Sequence, residues 1–202
     1  QLTRFDPRYR IAEGPLYYGW VVVGACFLIS VITWGTVWSY GVFFGYIVED
    51  FGLSHANTSI IFSLQSFITL AGAAIFGFVI DRYGAQHLLV LSAGLVVLGL
   101  FGVSQLGSFA GVLFSYGVVV ASGFAIASVI EKATPSRWFD RRRGFATGIA
   151  GAGAGVGIFL FPPIIEGTIQ EVGWRGAYGS LMLAFLASYV IAAVLISDRP
   201  TD

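Results

Sequence analysis

The sequence predicts an all-α integral membrane protein, a bundle of six transmembrane helices. Three observations carry that prediction. Hydrophobic residues make up 56% of the chain and mean hydropathy is +0.82, which would leave a surface that water could not wet. Charged residues are only 11%, against about 25% in a soluble domain. The charges are also partitioned. Six apolar stretches, 18–48, 57–80, 87–106, 109–130, 144–165 and 177–196, contain no Asp, Glu, Lys or Arg, so every charge falls in a gap or a tail.

Each stretch can cross a bilayer core of about 30 Å, which takes about 20 apolar residues as helix. Soluble core helices would carry a charged outer face, and barrel strands would alternate polar with apolar residues; these runs do neither. The layout is a segment 1–17, a bundle 18–197 and a short end 198–202.

The first span, 31 residues, would be about 46 Å long at 1.5 Å per residue. It must tilt, bend or protrude, with Gly35, Gly41 and Gly45 as candidate bends. Trp20, Trp138 and Trp174 fall at headgroup depth, where tryptophan anchors or packs. In the loop after the second span, Gly77 permits close backbone approach and Gly84 supplies a tight reversal. Asp81 ends the second helix, where the dipole already presents negative charge. Something must therefore offset it: Arg82, or the N-terminal end of another helix.

The loop after the fourth span holds Arg137, Arg141, Arg142 and Arg143 around Trp138 and Phe139. Such a patch holds a loop to an anionic leaflet or serves as a gate of ion pairs. The fifth span opens with Gly144, Gly148, Gly151, Gly153, Gly155 and Gly157. Gly151/Gly155 and Gly153/Gly157 fit the small-xxx-small spacing of close helix packing in lipid. No Lys-Ser/Thr closes the run as a phosphate loop would require. Pro162-Pro163 should kink the outer end.

Orientation follows from the basic residues. Arg4, Arg8, Arg10, Arg82, Lys132, Arg137, Arg141, Arg142, Arg143 and Arg199 fall on one side, and only Arg175 on the other. Both termini are therefore expected in the cytoplasm. The first apolar run is too long for a cleavable signal.

Eleven basic residues balance eleven acidic ones, so no basic field points to nucleic acid. One cysteine, Cys26, and two distant histidines, His55 and His87, make no disulfide framework and no metal site. No His or acid shares the depth of the intramembrane serines, so no catalytic set forms; neither an enzyme nor a cofactor is expected.

Taken together, Gly77-x3-Asp81-Arg82-x-Gly84, Tyr18-Gly-Trp20, Trp138-Phe-x-Arg-Arg-Arg-Gly144-x-Ala-x-Gly148 and Gly173-Trp174-Arg175 resemble the N-terminal half of a major facilitator superfamily transporter. The set is similar to its monocarboxylate transporter-like and oxalate/formate antiporter-like branch. One departure is that Ala85, Gln86 and His87 stand where the signature usually continues with basic residues. The resemblance implies one half of a twelve-helix fold, with inverted three-helix repeats at about 18–106 and 109–197. It also implies a C-terminal six-helix half as partner, on which Asp81 docks. Because Gln1 is not a normal start, the chain is expected to be a fragment or a truncated product.

The function implied is secondary transport of small organic anions, monocarboxylates first, by alternating access, with proton coupling and antiport both open. Candidate substrate-lining residues are Thr33, Thr36, Tyr40, Gln65 and Tyr116; the bland reading of each is a helix–helix hydrogen bond. A carboxylate at the midplane needs a cation or strong donors, and the expected spans hold neither Lys nor Arg. Lys132 and Arg175 fall at the membrane edges, so the resemblance assigns that cation to the second half. Permeases for other substrates, and a non-transporting or homodimeric six-helix protein, are the alternatives.

Overall fold

In the computed structural model, residues 18–139 and 142–196 are described, and everything but their short connections is helical. Helix α1 is Tyr18–Phe51, α2 His55–Tyr83, α3 Ala85–Gln105 and α4 Phe109–Trp138. Ser54 and Ser108 cap the starts of α2 and α4, each side chain accepting the backbone N–H three residues on, at 3.3 and 3.2 Å. Gly84 makes the α2–α3 reversal at φ 79°, as the sequence expects.

No loop separates the fifth span from the sixth. The described residues form five long apolar helices, the last, α5, running Arg143–Leu195 over 53 residues. If straight it would extend about 80 Å, far beyond a bilayer. It does not run straight, because Gly173 leaves helical geometry at φ 75°, ψ 165°. Phe161, Ile164 and Thr168 of the first arm (143–172) then face Ala177, Leu181 and Ala184 of the second (174–195) across one cavity of about 180 Å³. The expected loop at 166–176 is one glycine wide. Helical dihedrals pass unbroken through Pro162 and Pro163, and the one residue within α5 that leaves them is Gly173.

The ends of the bundle fix its parity. The Tyr18 hydroxyl at the start of α1 donates to the Leu195 carbonyl at the end of α5, at 2.8 Å. At the opposite end Arg175 pairs with Asp50 at 2.8 Å and lies over the Trp174 ring at 4.2 Å. The two ends of the described chain therefore meet on one side.

Close approaches place the other helices. Gly153 and Gly157 seat the first arm of α5 on the backbone of α1 around Phe27, Val31 and Gly35. Gly99 and Gly123 let α3 and α4 meet; a Cβ on either would strike Val120 or Val96 at 2.5 Å. The pairing expected of the glycine run is half right. Gly148, Gly151 and Gly155 meet nothing within 4 Å, because a helix turns their face away from α1. Gly35 is a close contact, its Cβ position being filled by the Phe161 ring, while Gly41 and Gly45 meet nothing within 4 Å. Trp138 and Trp174 pack inside, against Tyr18 and Tyr178.

The outer surface is apolar. Phe67, Leu70, Phe78, Phe159 and Val194 are each at least 68% exposed, which a water-facing domain would not tolerate over so wide an area.

Candidate functional site: polar groups inside the bundle

Two polar clusters sit among the apolar side chains. In the first, α1, α2 and α4 converge. Within α4, residues Ser115–Val120 form a π-helical turn, an irregularity often found at functional sites. It turns Tyr116 inward. The Tyr116 hydroxyl reaches the Thr36 carbonyl at 3.5 Å, and its ring lies 5.5 Å from that of Tyr40. The Tyr40 ring stacks on Phe62 at 5.5 Å and its hydroxyl donates to the Thr58 carbonyl at 2.9 Å. Tyr40 and Phe62 border a cavity of about 380 Å³ between α1 and α2, with Trp38, Phe44, Ser59 and Ser63.

Gln65 donates to Thr69 at 3.0 Å, and Thr69 in turn to the Ala121 carbonyl of α4. Thr33 lies apart from this group, sharing a 3.3 Å hydrogen bond with Tyr189 on the second arm of α5. All five expected lining residues are buried, and most hold two helices together, as intramembrane hydrogen bonds do. Within this set, Thr36 Oγ1 and Gln65 Oε1 are buried with no partner among the described residues.

The second cluster corrects the sequence reading. Helix α4 does not stop at residue 130 but continues through Pro135 to Trp138. Glu131 and Lys132 are therefore inside a helix and not in a loop. The Glu131 carboxylate is 2% exposed and takes the Trp34 indole N–H at 2.9 and 3.2 Å to its two oxygens. The Lys132 ammonium stands 3.9 Å from Glu131 and 5.9 Å from the Trp34 ring centre, with its side chain 65% exposed. Ser30, one turn before Trp34, holds its buried hydroxyl beside the same carboxylate. The missed signal was a glutamate just past an apolar run with no Gly to end the helix. Pro135 reads as a breaker in water, whereas inside a bundle neighbouring groups re-satisfy the freed backbone.

At the α2–α3 motif, the partner of Asp81 among the described residues is neither Arg82 nor a helix N-terminus. Arg137 of α4 donates to its Oδ1 at 2.6 Å, while Arg82 lies over the Tyr83 ring at 5.7 Å. Gly77, expected at a close approach, meets nothing within 4 Å. Arg143 donates to the Phe139 carbonyl at 2.9 Å and Arg142 precedes α5; Arg141 lies outside the described residues. Because the Asp81 side chain is 74% exposed, its pair is worth at most about 1 kcal/mol. Asp81→Asn should therefore lower the thermal stability of the detergent-solubilised chain only slightly. The exchange Asp81→Arg with Arg137→Asp should recover what Asp81→Arg alone loses. A melt in which the exchange is no better than the single change would show that the two side chains do not pair.

With the bundle in view, comparison with known proteins decides the family. Residues 26–202 match the family model described as Major Facilitator Superfamily. The chain belongs to this superfamily. Among curated relatives it is 32% identical to monocarboxylate transporter 12 of Rattus norvegicus, over 79% of this chain and 33% of that protein. It is 30% identical to monocarboxylate transporter 13 of Bos taurus, over 87% and 41%. It is also 30% identical to MFS-type transporter 1 of an Ophiocordyceps species, over 91% and 41%. Among solved structures, a crystal structure of the peptide transporter POT, a mutant bound to alafosfalin, shares the fold. The TM-score is 0.68 at 17% identity, over 88% of this chain and 37% of that one. The chain thus spans about a third to two-fifths of the length of these relatives. Like other members of the superfamily it is a multi-pass membrane protein.

Proposed function

We propose that this chain forms the N-terminal six-crossing half of a secondary transporter that moves small organic anions, monocarboxylates first, by alternating access. Gly173 makes the fifth and sixth crossings from one helix, and both ends of the half face the cytoplasm. The two three-helix units act as inverted repeats. Kinship with monocarboxylate transporters over most of the chain carries the anion reading. Thr36, Tyr40, Gln65 and Tyr116 line the inner wall of the path, with the unpartnered atoms of Thr36 and Gln65 as the groups free to meet a substrate. Asp81 and the Arg141–Arg143 run make the cytoplasmic contacts to a C-terminal half, and the open face of Gly148, Gly151 and Gly155 faces it.

The intact protein in proteoliposomes should take up radiolabelled L-lactate saturably, and formate or oxalate should compete. A second reading, a permease for another substrate class, is favoured by the fungal relative, which matches more of the chain. Uptake blocked by neutral solutes and indifferent to carboxylates would select that reading.

A further inference from the structure

The Glu131 cluster has a use beyond holding helices together. Trp34 is at the midpoint of the 34-residue α1, so the carboxylate it binds lies inside the bundle and not at its rim. On its own helix Glu131 is seven residues, about 10 Å, inside the end at Trp138. A buried carboxylate is costly unless well paired, and its two oxygens offer about four acceptor sites. The Glu131 carboxylate takes the Trp34 indole, shared between both oxygens; the Ser30 hydroxyl is a second neutral donor beside it, and an ammonium stands at the outer edge of ion-pair distance. The titratable groups around it are Lys132 on α4, Cys26 on α1 and Tyr189 on the second arm of α5. Cys26 and Tyr189 are buried and carry no positive charge; α2 and α3 add no charged group among the described residues. Among the described residues Lys132 is therefore the one cation beside Glu131, and its side chain is exposed at the surface of this half.

We propose that Glu131 and Lys132 form a proton-gated anion site, with Glu131 binding the coupling proton and Lys132 the substrate carboxylate. This rests on the anion-transport reading above. With Glu131 ionised, its charge holds the ammonium of Lys132 against the Trp34 ring. When water-borne hydronium delivers a proton to a Glu131 oxygen, that attraction is lost. Trp34 still donates to the remaining carbonyl oxygen, and the exposed ammonium turns to an incoming carboxylate. Charge balances at each stage: one lysine cation is paired first with Glu131 and then with the substrate. Loss of the proton from Glu131 reverses the exchange and releases the anion. The cation that the sequence assigned to a missing half is thereby present in this one.

The test uses the intact protein in proteoliposomes, with radiolabelled L-lactate as probe. Glu131→Gln keeps an oxygen acceptor for the Trp34 indole. It should retain lactate–lactate exchange at equal pH while losing the stimulation of net uptake by an acid-outside gradient. Lys132→Gln should raise KM for lactate in both assays about tenfold or more, a loss of about 1.4 kcal/mol of binding, and Lys132→Arg should restore it. Full gradient stimulation in Glu131→Gln, or an unchanged KM in Lys132→Gln, overturns the proposal.

Infrared difference spectra keep the proton step testable even if no organic anion is carried or a variant does not assemble. Acidification should raise a protonated-carboxyl band in the wild-type protein that Trp34→Phe displaces. A band unmoved by Trp34→Phe, or no band, overturns the proposal. The band present and displaced without any anion uptake retires the transport reading and leaves Glu131 as a proton site.

Discussion

Gly157→Leu should abolish assembly of this half-bundle made alone, while Gly155→Leu, two residues away on the face proposed to meet the second half, should leave it intact. A Cβ at Gly157 would overlap the Val31 carbonyl and stand 2.9 Å from the Gly35 nitrogen. Both neighbours are backbone of α1, so no rotamer change can make room. The arms must separate, losing packing along α1 and α5, and overpacking of this kind costs about 1–3 kcal/mol and occasionally more. Even Gly157→Ala should be clearly destabilising, as should Gly153→Ala, which meets the Phe27 carbonyl. Gly155→Ala and Gly151→Ala meet nothing within 4 Å and should gain up to about 1 kcal/mol of helix propensity. Thermal melts followed by size-exclusion chromatography in detergent would read the contrast. Equal losses at Gly155 and Gly157 would show that α1 and α5 are not in this register.

That alternation indicates how far the sequence could be read. The apolar runs and the order of the loops pointed to a helical membrane bundle, because hydrophobic length is set by the bilayer and needs no tertiary information. Helix ends were harder to place. Glu131 and Lys132 looked like loop residues since charge usually marks the end of a span, and only the Trp34 indole, 97 positions away in sequence, gives the carboxylate a reason to be inside. Likewise Gly173 was one residue in a motif, and its positive φ alone made it the reversal. The glycine run advertised close packing, but which face of α5 met a neighbour depended on where α1 lies. The lining candidates were legible as polar residues in apolar spans. Their division into Thr33 with Tyr189 and Tyr40 with Tyr116 was not, since it depends on the π-turn at Ser115–Val120.

Labelling of single cysteines should be all-or-none, and it tests the crossing made at Gly173. With Cys26→Ser as background, cysteines at Asn57, Ser108 and Glu171 should react with an impermeant thiol reagent added outside. A cysteine at Tyr83 should react only after permeabilisation. All four positions are exposed, so access and not burial decides the result. Lys132, about two turns inside α4, leaves the count, while the other nine basic residues expected on the cytoplasmic side lie at helix ends or outside the described helices, against Arg175 alone. The bias that sets orientation survives that correction. Glu171 is the informative position. The meeting of Tyr18 with Leu195 requires an even number of passes, and Gly173 supplies the reversal only if residue 171 is on the outer side with Asp50 and Arg175. Were α5 a single crossing, Glu171 would lie within or beyond the bilayer and label no faster than Tyr83. Labelling at Tyr83 with protection at Asn57 and Ser108 would instead invert the whole orientation and place Asp81 outside the cell.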